Sequence, residues 1–486
     1  MRLTTQKASQ RAAFRALACL LLAATTSSCT LGPDFHRPEA PPWAYTQPSA
    51  TVGSQNVQYG SEVAADWYTL FGSDAVNRLV QEALAANPDL EAARHTLRAA
   101  QYELQAVAGT ALPQVQLDAK AQRGKVNGSL LYEPDNTIQV TANQFSIGPA
   151  LAYDLDVFGR LRRTIEAQEA QTSSVQRRTL NVYITLVDQV VTTAFNYAAT
   201  VEQIDVTRRL VSDLQSQYDL TSKLENAGKI VRSETLQAQA QLETTRASLP
   251  ALEKQRDVYR NTLLQLTGKA PRADGVPQIA LRDFTLPAQL PVSLPSQLVR
   301  QRPDILEAED LLHQASAAVG VAEAARFPDL NLTGQFAQQS IQVNDLFKQP
   351  ASIWSAGVNV TAPIFEGGTL RAREREARER FLAAQSQYQS TVLGAFVEVQ
   401  NTLEALLHDA DDYQAHMKAL EATSANRDLA RRQFELGRVN ELVVLTAEQQ
   451  YNNAALSAVQ ANVQRFADTA RLFHALGGGW WKGNAP

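Results

Sequence analysis

The chain has 486 residues, of which 44% are hydrophobic, and its mean hydropathy is −0.25. No apolar run reaches the roughly 18–20 residues that a membrane-spanning helix needs, so the composition excludes a helical membrane protein. The 45 Lys and Arg are outnumbered by 50 Asp and Glu, and the first 28 positions contain basic residues but no acid. An acidic mature chain gives no support to nucleic-acid binding.

Residues 1–28 have the pattern of an export signal. A basic start precedes a short apolar run, Ala16–Ala24, and small residues then lead to Cys29. We interpret this as a bacterial lipoprotein signal, with a diacylglycerol or acyl lipid on Cys29. Thr26 stands where such signals usually carry Leu, so the lipobox is imperfect. The alternative is an ordinary cleaved signal with an incidental Cys.

Residues 29–62 are interpreted as a lipidated tether with little helix or strand of its own. The evidence is a series of prolines: Pro33, Pro38, Pro41, Pro42 and Pro48. The only other cysteine, Cys19, leaves with the signal. The mature chain therefore has no internal disulfide, and its one cysteine is explained as a lipid anchor.

Residues 63–268 are interpreted as a first structural repeat. Two helical segments lead to apolar–polar alternation, which predicts strands at about 112–123 and 138–157. The alternation slips at 143–145, and this slip predicts a bulge. Each strand has the length and pattern of an outer-membrane barrel strand, with one face to lipid and the other to water. The alternative is a pair of hairpins packed on a soluble core.

A long helix is predicted to follow over 160–227, because this stretch contains neither Gly nor Pro. At 1.5 Å per residue it would be about 100 Å long. A return helix is predicted over 232–267, with Pro250 as a candidate kink. Five prolines between 271 and 295 mark residues 269–295 as a linker between repeats.

Residues 296–477 repeat the same order, and residues 478–486 form a C-terminal tail. Arg302-Pro303-Asp304 follows Asn87-Pro88-Asp89 by 215 residues, whereas Gly437 follows Gly228 by 209. The offset changes between the paired strands, so the length difference lies in the loop between them. The predicted elements of this repeat are strands at about 327–337 and 352–365, a long helix over 369–436 and a return helix over 440–476.

The two long helices carry matching apolar seams with alternating four- and three-residue spacing. This 3.5-residue period is typical of a left-handed coiled coil. The seam of the first helix is Tyr183, Val187, Val190, Ala194, Tyr197, Val201 and Ile204. The seam of the second helix, 209 residues later, is Val392, Phe396, Val399, Leu403, Leu406, Ala410 and Tyr413.

Together these elements predict a mainly α protein with a membrane β-barrel, built from two tandem repeats. Each repeat contributes two barrel strands and one long coiled-coil helix pair. Four strands cannot enclose water, and open sheet edges are not tolerated in lipid, so the chain must oligomerise. Two, three or four copies would give eight, twelve or sixteen strands, and twelve lies in the range that leaves an aqueous lumen.

No catalytic constellation appears. The chain has no phosphate-binding Gly-rich loop, GxSxG, HExxH or Cys pair, so we predict neither an enzyme nor a cofactor. His408, Asp411, Asp412 and His416 cluster on one helix, and a metal site is conceivable there. Their spacing more simply fits an exposed acidic face, and we predict no metal. Likewise, the charged run 371–380 fits a solvated helix face with i,i+4 pairs.

The sequence resembles the outer-membrane efflux proteins, the TolC-like channels, and within them the NodT-type lipoprotein branch. The resemblance spans the mature chain and is most specific at residues 29–38 (CTLGPDFHRP) and 475–480 (ALGGGW). It implies a homotrimer with a twelve-stranded β-barrel, a periplasmic α-barrel and an equatorial belt. It also implies a lipid-anchored location in the bacterial outer membrane.

The resemblance further implies a passive exit duct for small toxic compounds or drugs. The implied partners are a periplasmic membrane-fusion adaptor, an inner-membrane transporter and outer-membrane lipid. Two alternatives stay open: the exit duct of a type I protein secretion system, and a periplasmic coiled-coil adaptor or structural lipoprotein. An adaptor would have one hairpin and would lack the four strands.

The resemblance also identifies the helix turns as periplasmic tips that contact the adaptor. Their residues here are Gly228, Lys229, Leu436, Gly437 and Arg438. Some members carry acidic rings six and nine residues after the second tip Gly, where this chain has Val443 and Thr446. The candidate gate is therefore a Glu234–Arg438 contact or a constriction at Val443, with Thr446 at the second ring position.

Overall fold

The computed structural model describes residues 30–42, 51–127, 139–271, 275–348 and 351–482. The described chain divides into two compact units. The first contains residues 30–37, 98–174 and 309–387, apart from the gaps, and the second contains the rest. Each long helix contributes residues to both units. Within the described ranges, every helix is either too short or too polar to cross a lipid bilayer.

The helices carry the following bounds in chain order: α1 Asp74–Ala86, α2 Pro88–Gly109, α3 Arg160–Asn226, α4 Arg232–Leu266, α5 Pro295–Gln301, α6 Pro303–Ala324, α7 Thr369–Glu435 and α8 Glu441–Ala475. The strands are β1 Thr51–Val52, β2 Gln55–Tyr59, β3 Gln114–Asn127, β4 Gln139–Leu155, β5 Gln289–Val292, β6 Asp329–Ser340 and β7 Ser352–Thr361. The helix α4 continues through Pro250 without interruption.

The long helices begin and end within one residue of the bounds expected from the sequence, whereas the strands differ more. The strand β3 continues to Asn127, because its polar end pairs with the start of β4. Similarly, β6 continues to Ser340, which lies opposite Phe145. The strand β7 stops at Thr361 rather than 365, just before Pro363, which has no N–H to donate to a partner strand.

The first unit contains a four-stranded antiparallel sheet in the order β3-β4-β6-β7. The predicted bulge at 143–145 is wrong, because β3 and β4 pair in one unbroken register from Gln114↔Ala152 to Asn127↔Gln139. The alternation slips for another reason. Phe145 and later odd residues share the apolar face, but in the preceding stretch that face carries Thr141 and Asn143. The change in alternation thus marks the end of the apolar part of this strand face, and the backbone pairing stays regular.

The second unit contains a small sheet in the order β1-β2-β5, in which β2 and β5 are parallel. Two expectations are corrected here. Residues 51–59 lie in the predicted tether but form β1 and β2, and the inter-repeat linker contributes β5. The pairing of Val57 with Leu290 buries both side chains, which explains why a proline-rich sequence is nevertheless ordered.

Aromatic side chains from distant parts of the chain form the core of the second unit. Phe195 of α3 lies at the centre, with ring centroids 4.9 Å from Phe71, 4.8 Å from Phe284 and 5.4 Å from Phe466. Because Phe284 belongs to the linker, the linker is part of this core. Most members of the two predicted seams are also buried, including Val190 and Val399.

Candidate functional site: the sheet faces and the helix turns

The four-stranded sheet has one apolar and one polar face. On the apolar face, Val115 and Leu117 are both 70% exposed, and Trp354 is 78% exposed. On the polar face, Asn331 donates to Asp154 across β6 and β4 at 2.6 Å. The apolar stretch Phe145–Leu155 covers about 33 Å of strand at 3.3 Å per residue. At the usual strand tilt this matches the roughly 25 Å apolar band of an outer-membrane strand.

The two outer strands of this sheet, β3 and β7, each have one edge without a partner strand in the described chain. The order β3-β4-β6-β7 is antiparallel throughout, so β3 and β7 run in opposite directions. The sheet can therefore continue into further copies of itself by antiparallel pairing of β7 with β3. An apolar exposed face with two open edges is suited to lipid only after such closure.

The segment directly after Cys29 is bound to the start of α3. Arg163, whose side chain is only 4% exposed, donates to the carbonyl oxygens of Leu31 at 3.0 Å and Gly32 at 3.3 Å. It also forms 2.7 Å ion pairs with Asp34 and Glu166. Cys29 itself, the predicted lipid site, and residues 1–28 lie outside the described residues.

A second group of contacts fixes the same segment on α6. The Phe35 ring stacks on His313 with centroids 4.3 Å apart, and Arg37 pairs with Glu309 at 2.6 Å. Gly32 has a positive φ of 88°, and a Cβ there would lie 2.3 Å from the Cα of Gly320. The predicted tether is thus docked over residues 30–37, and the reason is the Gly–Gly approach and the buried Arg163. Neither contact can be predicted from the amino-acid composition of the segment.

The helix turns predicted as tips have the same geometry in both repeats. Gly228 and Gly437 have φ values of 68° and 67° and end α3 and α7 in Schellman motifs. In each motif the residue after Gly donates to the carbonyl five residues earlier: Lys229 to Leu224 at 2.9 Å, Arg438 to Gln433 at 2.9 Å. A non-Gly residue would be strained here by its backbone alone.

The structure places Glu234, Val443 and Thr446 near the starts of the return helices and Arg438 in the turn before α8, and it does not join Glu234 to Arg438 within one chain. Within the described chain, Glu234 and Arg438 form no ion pair; the charged neighbour of Glu234 is instead Glu441. Val443 is 44% exposed, so within one chain its side chain is free to line a pore. The Thr446 hydroxyl donates to the Leu442 carbonyl at 2.8 Å, within its own helix.

Sequence reasoning missed Glu441, which begins α8. Its side chain is buried, and burial together with the nearby Glu234 raises the pKa of Glu441 to about 7. The sequence did contain a signal. Glu441 follows the capping residue Asn440 and precedes the apolar run Leu442-Val443-Val444, so it lies at the base of the turn rather than on an open face.

A carboxyl pair between α7 and α8 was also missed. Burial and the adjoining Asp468 raise the pKa of Asp409 to about 7. Asp468 is 2% exposed and accepts hydrogen bonds from Gln464 and Arg471, both at 2.7 Å. Because the folded state holds the Asp409 proton more tightly than the unfolded chain, the stabilisation is complete below the ordinary Asp pKa and is lost as the pH rises through about 7.

We expect Asp409→Asn to reduce the pH dependence of stability. Between about pH 5 and about pH 8, the midpoint temperature of thermal unfolding of wild type should decrease. The midpoint temperature of the variant should decrease less, because Asn keeps the hydrogen bond without a titrating proton. Circular dichroism of the detergent-solubilised protein measures this. Asp411→Asn, at an exposed position two residues away on the same helix, is the matched control. Parallel curves for wild type and Asp409→Asn would contradict the carboxyl pair.

The remaining charged clusters form ion pairs. His416 pairs with Asp412 at 3.5 Å, and among the described residues no three His, Cys, Asp or Glu side chains are grouped closely enough to hold a metal ion. In the run 371–380, Arg380 pairs with Glu376 at 2.6 Å, an i,i+4 pair. Glu374 is buried and pairs with Arg326 of the loop after α6, so this run also packs.

Comparison with known proteins decides the family. A family model described as outer membrane efflux protein matches residues 79–269 and 294–478, which are the two repeats. The chain belongs to the outer membrane efflux protein family. It is an outer-membrane channel of an efflux system, as the sheet faces and paired long helices indicate.

Individual relatives of this efflux protein match nearly the whole chain. The cation efflux system protein CusC of Escherichia coli (strain K12) is 29% identical over 469 residues, 95% of this chain and 98% of the relative. The toluene efflux pump outer membrane protein TtgC of Pseudomonas putida is 30% identical over 463 residues, 93% of each. The solved outer-membrane channel OprN superposes with a TM-score of 0.84 at 28% identity, covering 93% of this chain and all of OprN.

Proposed function

We propose that three copies of this chain close into one passive exit duct with a twelve-stranded barrel. The observation that carries the proposal is the pair of unpartnered strand edges, β3 and β7, on a sheet with an exposed apolar face. Three copies give twelve strands, which leave a water-filled lumen, whereas eight strands fill with side chains. The polar sheet face, with pairs such as Asn331–Asp154, then lines the lumen.

The cargo we propose is small toxic compounds or drugs, delivered by an inner-membrane transporter through a periplasmic adaptor. The relatives support the compound class only broadly, since one is named for cations and another for toluene. In this chain no nucleotide-binding motif is present, so the energy comes from a partner. The anchor is a lipid on Cys29, and the docked segment 30–37 supports a fixed attachment point beside the sheet of the first unit.

Restoration of efflux tests this function. A host that lacks its own outer-membrane efflux channels should regain resistance to a panel of toxic compounds when the chain is expressed with an adaptor and transporter. Variants with Cys29→Ala test the anchor in the same assay. Failure with every adaptor and transporter pair, despite normal membrane insertion of the chain, would contradict the proposed function.

The gate is proposed to lie at the helix turns, formed by Val443 or by contacts of Glu234 and Arg438 between neighbouring copies. We expect at least one of Glu234→Ala, Arg438→Ala and Val443→Ser to raise the conductance of the purified protein in planar bilayers. The physical reason is that a narrow apolar or ion-paired ring excludes water and ions. Leu429→Ser, at an exposed position on α7 before the turn, is the control. If all three variants conduct like wild type, the gate lies elsewhere.

A further inference from the structure

Two basic residues extend the apolar face of the four-stranded sheet beyond its apolar part. On β3 this face carries the odd-numbered residues from Val115 to Ala121, and Arg123 and Lys125 continue the same alternation. The register continues the face through the odd-numbered residues of β4 and the even-numbered residues of β6 and β7. In the described strands, all residues of this face other than Arg123 and Lys125 are uncharged, so the charge that this face carries there is positive.

Aromatic side chains mark the end of the apolar part on the other strands. Phe145 of β4, Phe336 of β6 and Trp354 of β7 are each followed by a polar residue on the same face, toward the strand end remote from the helices. Phe336 is 52% exposed and Trp354 is 78% exposed. Aromatic girdles lie at the membrane–water interfaces of outer-membrane barrels. These three side chains thus locate the boundary of the hydrocarbon region on this face.

Arg123 and Lys125 lie just outside this boundary. Ala121, which pairs with Phe145, is two residues before Arg123 and four before Lys125. At 3.4 Å per residue, the two basic residues therefore lie about 7 Å and 14 Å further along the strand. The opposite ends of β3 and β4 lead to α2 and α3, and the helical part of this outer-membrane channel extends into the periplasm. The two basic residues thus lie at the headgroup level of the outer leaflet.

The Arg123 and Lys125 side chains are exposed, and within the described chain neither forms an ion pair. Near the helix end of the strands, by contrast, Arg160 pairs with Asp329 at 3.2 Å. Antiparallel pairing of β3 with β7 of another copy uses backbone groups and leaves this face open. It adds no acid, because the residues that β7 places on this face are uncharged. Arg123 and Lys125 are therefore available to an anion from outside the chain.

We propose that Arg123 and Lys125 bind a phosphate group of a glycolipid in the outer leaflet, while the acyl chains of that lipid lie against the apolar part of the same face. Two residues apart on one face, the side chains start about 7 Å from each other and can converge on one phosphate. The guanidinium can bind two phosphate oxygens at once, and the ammonium adds a point charge. This inference rests on the proposed barrel, and it adds a lipid site on the outer surface to the exit-duct function.

The test measures lipid binding by the full-length protein purified in detergent. Native mass spectrometry gives the fraction that binds diphosphoryl lipid A, a phosphorylated glycolipid, or the same lipid without its phosphates. Each basic residue near an anionic lipid surface contributes about fivefold in affinity, so Arg123→Gln and Lys125→Gln should each weaken binding of the phosphorylated lipid about fivefold. The double variant should weaken it about 25-fold and should bind the two lipids alike. Arg123→Lys, which keeps the charge, should retain most of the binding.

Lys120→Gln is the matched control, because Lys120 is an exposed basic residue on the opposite, polar face of the same strand. It should bind the phosphorylated lipid like wild type. An excess of inorganic phosphate should not displace the lipid, because the free ion lacks the acyl contacts; complete displacement would make this a site for a soluble anion and overturn the lipid site. Circular dichroism of each variant checks that it is folded.

Three further results would overturn the lipid site: no preference of wild type for the phosphorylated lipid, equal affinity of wild type and the double variant, or an equal loss of affinity in Lys120→Gln. None of these results bears on the exit-duct function. Failure of that function is recognised separately, as absent resistance in the efflux assay with wild type.

Discussion

Arg302→Leu is expected to lower the free energy of unfolding by about 1–3 kcal/mol, because it leaves a buried carbonyl oxygen and two half-buried acids without their donor. Arg302 is 7% exposed at the start of the second repeat. Its guanidinium donates to the Ala475 carbonyl at 2.7 Å and pairs with Asp304 at 2.7 Å and Glu398 at 2.8 Å. The Arg302 side chain thus links the start of α6 to α7 and to the last residue of α8.

The measurement is the midpoint of thermal or urea unfolding, followed by circular dichroism of the solubilised protein. Arg300→Leu is the matched control, since Arg300 is exposed on α5 only two residues away. The control should change stability by less than about 1 kcal/mol. Equal midpoints for the two variants would show that the Arg302 contacts contribute no net stability.

Arg163→Leu is expected to release the N-terminal segment and to destabilise the first unit by about 1–3 kcal/mol. Arg163 is 3% exposed, and it holds Leu31, Gly32 and Asp34 while also pairing with Glu166. Its loss leaves two carbonyl oxygens and the exposed Asp34 carboxylate without their donor, whereas Glu166 keeps its 2.9 Å contact with His313. Limited proteolysis should then cut near residues 30–42 faster than in wild type, and the unfolding midpoint should fall.

Arg160→Leu provides the comparison for Arg163. Arg160 lies three residues earlier on α3, and its 3.2 Å pair with Asp329 is exposed on both sides. Exposed pairs contribute about 0–1 kcal/mol, so this variant should retain wild-type proteolysis and stability. A wild-type rate of cleavage in Arg163→Leu would mean that the segment is held by other contacts, such as the Phe35–His313 stack.

Most of the fold could be predicted from patterns among neighbouring residues. The absence of Gly and Pro over 161–227, and the positive-φ turn at Gly228, are properties of neighbouring residues, so they predict helix bounds to within one residue. The position at which a strand ends depends on which residues of the neighbouring strand pair with it. Asn127 belongs to β3 because Gln139 faces it, and the polar sequence there gives no such signal. The pairing of β2 with β5 joins segments more than 200 residues apart, which periodicity does not detect.

In the candidate site, too, local features could be predicted from the sequence, whereas contacts between distant residues could not. Gly228 and Gly437 were predictable because a helix end that needs a positive φ selects Gly. The neighbours of Glu234 were not, because the choice between Arg438 and Glu441 depends on how α4 and α8 pack. Arg163 looks like any other basic residue in a charged helix start. Only the fold shows that its side chain is buried under residues 31–34.

The most direct test of the duct is cross-linking between the open edges β3 and β7. The experiment uses a panel of double variants, each with one Cys at Gln116, Asp118 or Lys120 of β3 and one at Ser355 or Asn359 of β7. The pair Asn331→Cys and Asn359→Cys, which are Cα partners within one chain, is the control. We expect at least one panel pair to give covalent dimers and trimers in native membranes while the control stays monomeric. Efficient linkage of the control with no oligomer from any panel pair would contradict it.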